Sequence, residues 1–193
     1  MGELTAEKQE LRRQVREMRR RQDGNILRRD SEALCVRLLE LPELQRARWV
    51  FCYVSCKGEV ETHGLLKTLL ARGKRVAVPR CGANGAMDCV EIHALEELRP
   101  GSMGIPEPSP EAAAVPVREI DFAVVPALAC GEDGSRLGQG GGYYDRFLAV
   151  YRGTSALLCR EALLQTRVPL EPHDISIPCV ITEAGVYDNG SIR

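Results

Sequence analysis

The chain has 193 residues, enough for one domain of ordinary size with a sizeable core, and its aromatic content is only 5%, so Leu, Val, Ile and Ala must fill most of that core. A formal net charge of −1 gives no global reason to bind a polyanion, which argues against nucleic acid as a partner. No run approaches the ~20 apolar residues of a membrane span and no apolar leader opens the chain, so a cytoplasmic protein without membrane association is expected.

A locally basic segment comes first: between Leu11 and Arg29 there are eight Arg against two acids, Glu17 and Asp23. Thr5 to Gln22 reads as an Arg-rich helix with Thr5 as its N-cap, broken at Asp23-Gly24-Asn25. A second helix follows from Ile26 to Glu40, with Ile26, Leu34, Leu38 and Leu41 on one face, and Pro42 ends it. This N-terminal helical segment spans residues 4–41. Trp49 to Val54 is a continuous apolar run, as expected of a buried parallel strand. Thr62 to Ala71 reads as a helix closed by Arg72-Gly73-Lys74, and Arg75 to Pro79 as the next strand. Met87 to His93 alternates like a further strand. Residues 99–118 hold five of the eleven prolines and read as a long loop, since Pro lacks the amide donor. Asp121 to Val125 is a strong strand, followed by a Gly-rich loop and a helix from Gly142 to Tyr151. Ser155 to Leu158 and Cys179 to Thr182 complete the strands. The alternation predicts an α/β fold, one domain over residues 1–193 with a mostly parallel sheet. The eight widely spaced cysteines, without a Cys-x-x-Cys, are expected to be reduced thiols, several acting as small buried hydrophobes.

The most informative stretch is Asp133-Gly134-Ser135-Arg136-Leu137-Gly138-Gln139-Gly140-Gly141-Gly142-Tyr143-Tyr144-Asp145-Arg146. Four glycines in five residues allow positive φ and close backbone approach to a ligand, and the following helix offers free N–H groups and its positive dipole end. Together they suit an anion such as phosphate. It is neither a Walker loop nor Gly-x-Gly-x-x-Gly. Arg136 adds a fixed positive fork for phosphate oxygens, and Asp145, in the first helical turn, is placed to hold Mg2+ against the phosphates. Lys8 and Arg12 lie at i and i+4, on one helix face.

The string Arg-Leu-Gly-x-Gly-x-Gly-Tyr-Tyr-Asp, after an apolar strand and Pro-Ala-Leu, resembles the signature of the 5-formyltetrahydrofolate cyclo-ligase family. Lys8-x-x-x-Arg12, Gly58-Glu59-Val60-Glu61-Thr62, Gly104-Ile105-Pro106-Glu107-Pro108, and Glu171-Pro172-His173-Asp174 followed by Thr182-Glu183 are similar to other segments of that family. The resemblance implies a three-layer α/β/α domain akin to sugar-phosphate isomerases and CoA transferases, with the Arg-rich helix added at the N-terminus. It implies a folate enzyme of one-carbon metabolism that uses ATP and Mg2+ to close 5-formyltetrahydrofolate to 5,10-methenyltetrahydrofolate, working as a monomer on a small reduced folate. By the same resemblance ATP falls to Lys8, Arg12, Arg136, Gly138, Gln139, Gly140, Gly141, Gly142, Tyr143 and Tyr144. The folate falls to Val54, Glu59, Met103 and Tyr143, the metal to Asp145 and Asp174, and the catalytic roles to Arg136 and Asp145. His173 is read as an ordinary surface or core histidine. Two departures stand out: many relatives carry Lys at the position of Gly141, and Trp or Phe at that of Met103. A binding paralogue without turnover and a sugar-phosphate isomerase of the same fold class remain as alternatives.

Overall fold

In the computed structural model, which describes residues 2–56, 58–101 and 104–193, the chain folds around a nine-stranded sheet. Three helices open it: α1 (Gly2–Arg21), α2 (Gly24–Glu40) and α3 (Pro42–Arg46). The sheet core is built from β1 (Trp49–Cys52), β2 (Arg75–Cys81), β7 (Phe122–Pro126), β10 (Thr154–Leu158) and β12 (Cys179–Ile181). These five run parallel in the order β12-β10-β7-β1-β2. Antiparallel strands finish both edges: β3 (Met87–Ile92) and β6 (Ala114–Val115) beyond β2, β13 (Val186–Asp188) and β14 (Ser191–Ile192) beyond β12.

The chain leaves β1 through α4 (His63–Ala71) to reach β2 on one side, and leaves β7 through α5 (Tyr143–Val150) to reach β10 on the other. Right-handed crossovers in opposite directions place their helices on opposite faces. Accordingly Leu65, Leu66 and Leu69 of α4 share one core cluster with Leu34 and Leu38 of α2, Leu44 of α3 and Val50, Val76 and Val124 of the sheet. Phe147 and Leu148 of α5 share the other with Val15 of α1 and Phe51, Ala123 and Leu157. Three layers result, and the strand order reverses between β1 and β7. That reversal is the switch point at which α/β sheets open a crevice.

Several expectations need correcting. Helix α1 begins at Gly2, so Thr5 lies inside it instead of capping it; its hydroxyl donates to Glu171 Oε1 at 3.3 Å. Ile26 is 57% exposed and off the buried face of α2. Eight residues at ~100° each put it about 80° round from Leu34. The cap of α2 is Asp23, whose carboxylate accepts from Asn25 N at 2.8 Å and Ile26 N at 3.4 Å. Pro42 both ends α2 and sits at the first position of α3, where its missing N–H costs nothing. The first strand stops at Cys52, and Tyr53 and Val54 continue, buried, beyond the ladder.

The Pro-rich segment holds β4 (Arg99–Pro100) paired to β5 (Pro106–Glu107), and the edge strand β6. All three are two residues long and peripheral, as proline requires. The Gly-rich loop does not follow β7 directly. A hairpin of β8 (Ala129–Gly131) and β9 (Arg136–Leu137), with β11 (Leu164–Gln165) beside β8, comes between and aims Arg136 toward the glycines.

Candidate active site

A cavity of about 550 Å³ opens beyond the C-terminal ends of β1 and β7. Its walls bring together Lys8, Arg12, Val54, Glu59, Arg136, residues 138–145 and Asp174, segments far apart in sequence. Every site residue expected from the sequence lies on it except Met103, which is outside the described residues.

The glycine loop forms one wall. Gly140 has φ +100° and Gly142, the N-cap of α5, has φ +66°, backbone that residues with a Cβ rarely adopt. The loop is pinned from outside: Arg12 Nε donates to Gly138 O at 2.9 Å, and Arg146 Nη2 to Gly141 O at 2.7 Å. Arg16 Nη2 reaches the Gln139 side chain at 3.3 Å.

The inward stripe of α1 runs Lys8, Arg12, Val15, Arg19, spaced four, three and four; Lys8 and Val15 are buried, Arg12 and Arg19 half-buried, and three of the four are cationic. Lys8 and Arg12 line the cavity, and Arg19 braces the backbone beside it. Lys8 Nζ pairs with Asp174 Oδ2, and with Glu171 Oε2 at 2.8 Å. Arg19 Nη2 donates to the carbonyls of Ala127 and Leu128, both at 2.9 Å, where the chain leaves β7. Burial pulls the Lys8 ammonium down, but Asp174 and Glu171 more than offset it, so its pKa rises. Burial pushes the Asp174 carboxyl up, yet Lys8 and the Glu171 N–H hold it below the usual carboxylate range. Glu171 is lowered too, chiefly by Lys8.

A second ion pair joins Arg136 Nη2 to Asp145 Oδ1 across the hairpin and the first turn of α5. Arg136 is 7% exposed, and its buried Nε has no acceptor among the described residues. A donor in that state on a cavity wall fits an anionic ligand. On the opposite wall, Glu59 Oε2 accepts from Cys56 N at 3.0 Å while Glu59 N donates to Cys56 O at 3.1 Å. The Cys56 thiol also approaches the Glu59 carboxylate. Burial, with Glu59, Cys52 and Cys81 nearby, pushes the Tyr144 phenol well up, against a smaller pull from Arg136, and so keeps it protonated.

The carboxylate oxygens of Asp145 and Asp174 share the cavity and suit a hard divalent cation; one carboxylate oxygen each of Glu171 and Asp174 and a ring nitrogen of His173 lie within 4.8 Å of one another. The sequence reading named Asp174 and passed over its neighbours Glu171 and His173, although all three stand in one quoted tetrapeptide. It also passed over Cys56, in the loop after β1, and Cys81, at the end of β2, which line the cavity with no motif to mark them. Ile105 and Glu107 of the Pro-rich segment line it as well, so that segment is not a mere surface connection.

Ser55, His63 and Glu61 approach one another outside this cavity, yet both contacts fall on His63 Nδ1, at 3.3 Å and 2.6 Å. A relay needs both ring nitrogens, so this cluster organises the start of α4 and is no catalytic triad.

Comparison with known proteins agrees with the geometry. The family model described as the 5-formyltetrahydrofolate cyclo-ligase family matches residues 4–183. The mitochondrial 5-formyltetrahydrofolate cyclo-ligase of Arabidopsis thaliana is 31% identical over 214 residues, covering 96% of this chain and 77% of that protein. The 5-formyltetrahydrofolate cyclo-ligase of Escherichia coli K12 is 30% identical, covering 82% and 90%. The solution structure of Aquifex aeolicus 5,10-methenyltetrahydrofolate synthetase superposes with a TM-score of 0.85 at 32% identity, over 96% of this chain and 94% of that one. The chain belongs to the 5-formyltetrahydrofolate cyclo-ligase family.

Proposed function

We propose that this enzyme closes 5-formyltetrahydrofolate to 5,10-methenyltetrahydrofolate with hydrolysis of ATP to ADP and phosphate, in the cytoplasm. The observation that carries the reading is convergence: a glycine cradle, three cations, two metal-capable aspartates and the Glu59 carboxylate face one cavity.

An N-formyl group is an amide and a poor electrophile. Moving the γ-phosphoryl group of ATP onto the formyl oxygen makes that oxygen a leaving group. N10 then attacks the formyl carbon, loses its proton, and phosphate departs with the oxygen. Such chemistry asks for positioning and charge neutralisation rather than a protein nucleophile. The amides of residues 138–142, with Arg136, Arg12 and Lys8, receive the phosphates; Tyr143 and Tyr144 flank them. Glu59 orients the pterin against Val54 and Tyr143. Asp145 and Asp174 would hold Mg2+, which neutralises phosphate charge when bound. Each of those two carboxylates is already paired with a cation, Asp145 with Arg136 and Asp174 with Lys8, so neither is an isolated charge beforehand. Ligand binding then exchanges partners between charges instead of burying new ones alone.

The test is to follow near-ultraviolet absorbance of the methenyl product with 5-formyltetrahydrofolate, ATP and Mg2+. The rise should need all three and collapse in Asp145→Ala. Folded wild-type protein that binds both ligands without forming product would instead be a binding paralogue.

A further inference from the structure

Arg160, at the end of β10, heads the fully buried large side chains at 2% exposure, and no carboxylate of the described residues lies within ion-pair distance. Burial lowers its pKa, only partly countered by Tyr53, Asp30 and Glu183. A buried guanidinium without an ion-pair partner is an expensive feature for a fold to keep. Its hydrogen bonds say what it holds. Nη1 donates to Gly58 O at 3.2 Å, and Nη2 to Glu59 O at 2.8 Å and Ser31 Oγ at 3.2 Å. The same Ser31 Oγ accepts the Glu61 N–H at 3.0 Å.

All of these bonds therefore reach the short segment carrying Glu59, directly or through α2. Tyr53 Oη donates to Val60 O at 2.9 Å and Cys56 pairs with Glu59 on the same segment, but among the described residues the Gly58 and Glu59 carbonyls are held by Arg160. Gly58 sits at φ +89°, and no regular strand or helix covers residues 58–61. We propose that Arg160 is a positioning residue for the folate: it clamps the Gly58 and Glu59 carbonyls so that the Glu59 carboxylate stands fixed at the cavity wall. This rests on the reading of Glu59 as the folate-binding acid. Arg160 itself is not on the cavity wall, so its effect must pass through the loop.

Lysine in its place keeps the charge but cannot span three acceptors with a planar fork. The experiment measures dissociation constants for 5-formyltetrahydrofolate and for ATP by calorimetry in wild type, Glu59→Gln, Arg160→Lys and the double variant, with melting temperatures alongside. Arg160→Lys should weaken folate about tenfold and leave ATP within twofold. In the Glu59→Gln background the same change should cost less than threefold, because the group it positions is gone. Equal losses in both backgrounds, unchanged folate affinity, or joint loss of both ligands with a lowered melting temperature would each overturn the proposal. Should Arg160→Lys fail to fold, Ser31→Ala withdraws one acceptor. It should then give a two- to threefold loss of folate affinity that vanishes in Glu59→Gln, and no loss would overturn the role. Wild type that binds no folate, or Glu59→Gln that binds as well as wild type, removes the reading of Glu59 and with it this role. A failure confined to Arg160→Lys leaves that reading standing.

Discussion

Substituting Gly140 by alanine separates backbone strain from crowding in the phosphate cradle. A Cβ on Gly140 meets nothing closer than Arg12 Cζ and Nη2 at 3.7 Å, an ordinary contact, so the whole penalty comes from φ +100°. Holding a non-glycine residue there costs roughly 2 kcal/mol. Gly138 is the internal control. Its φ is not positive, and a Cβ lies 3.3 Å from Arg136 Nη1, a guanidinium end that can shift by a few tenths of an ångström. Gly138→Ala should cost below about 0.5 kcal/mol. If the cradle keeps its shape in Gly140→Ala, the strain shows as a melting temperature lower by about 4–8 °C for a chain of this size. If the loop relaxes, it shows as ATP affinity, the ~1.5 kcal/mol difference from Gly138→Ala corresponding to about tenfold. Differential scanning fluorimetry and ATP calorimetry on both variants read the two routes. A Gly140→Ala protein within 2 °C of wild type and within twofold in ATP affinity, or no worse than Gly138→Ala, refutes the argument.

The Lys8 pairs make the docking of α1 pH-dependent. Asp174 and Glu171 have depressed pKa values, so the stability they contribute is complete above the unfolded carboxylate range of ~4 and is lost as pH falls through their lower folded values. Lys8→Met should flatten the acid limb of melting temperature against pH; superimposable limbs would show the pairs idle. Burial, with Glu59 beside it, pushes the Cys56 thiol up to about 11. Only the thiolate reacts, so alkylation by iodoacetamide should climb about tenfold per pH unit from 8 to 10 and be slowed by 5-formyltetrahydrofolate. A plateau below pH 9 contradicts this. Gly141→Lys restores a cation at the cradle. The residue is exposed, its φ is not positive, and the Tyr143 ring must rotate away from a Cβ at 2.9 Å. The added charge is worth about 1 kcal/mol, so KM for ATP should fall about fivefold at low salt and less at high salt; a salt-independent change would mean the loop has been reshaped instead.

Where a sequence pattern is decided locally, it was readable. The all-buried runs Trp49–Cys52 and 122–125 carry no alternation, as parallel strands covered on both faces should. The glycines before Tyr143 announced a loop needing positive φ. The β8–β9 hairpin was not readable: Arg136 and Leu137 are two residues that become a strand only through pairing with Ala129 and Cys130. The closing hairpin was legible and overlooked. Asn189-Gly190 between Val186–Asp188 and Ser191–Ile192 is a strong two-residue turn signal, and its φ values of +50° and +81° suit a type I′ turn.

The least legible feature is also the one on which the site most depends. Helix α1 has almost no apolar face, and an Arg-rich helix ordinarily reads as a solvated one. Position decides otherwise. Residues 8, 12, 15 and 19 fall on one stripe, and Val15 alone enters the core. The three cations meet partners more than a hundred residues away: acids 163 and 166 positions on, and carbonyls 126, 108 and 109 positions on. Those carbonyls stand at the glycine loop and at the exit of β7, where unpaired acceptors would otherwise be stranded. A long charged stem can cover apolar surface while its head finishes these acceptors, so the helix docks by arginine and lysine instead of leucine. Two of these heads, Lys8 and Arg12, also stand on the cavity wall. Adhesion of the helix and charge on the site are one set of bonds, so weakening the first by salt or acid must weaken the second.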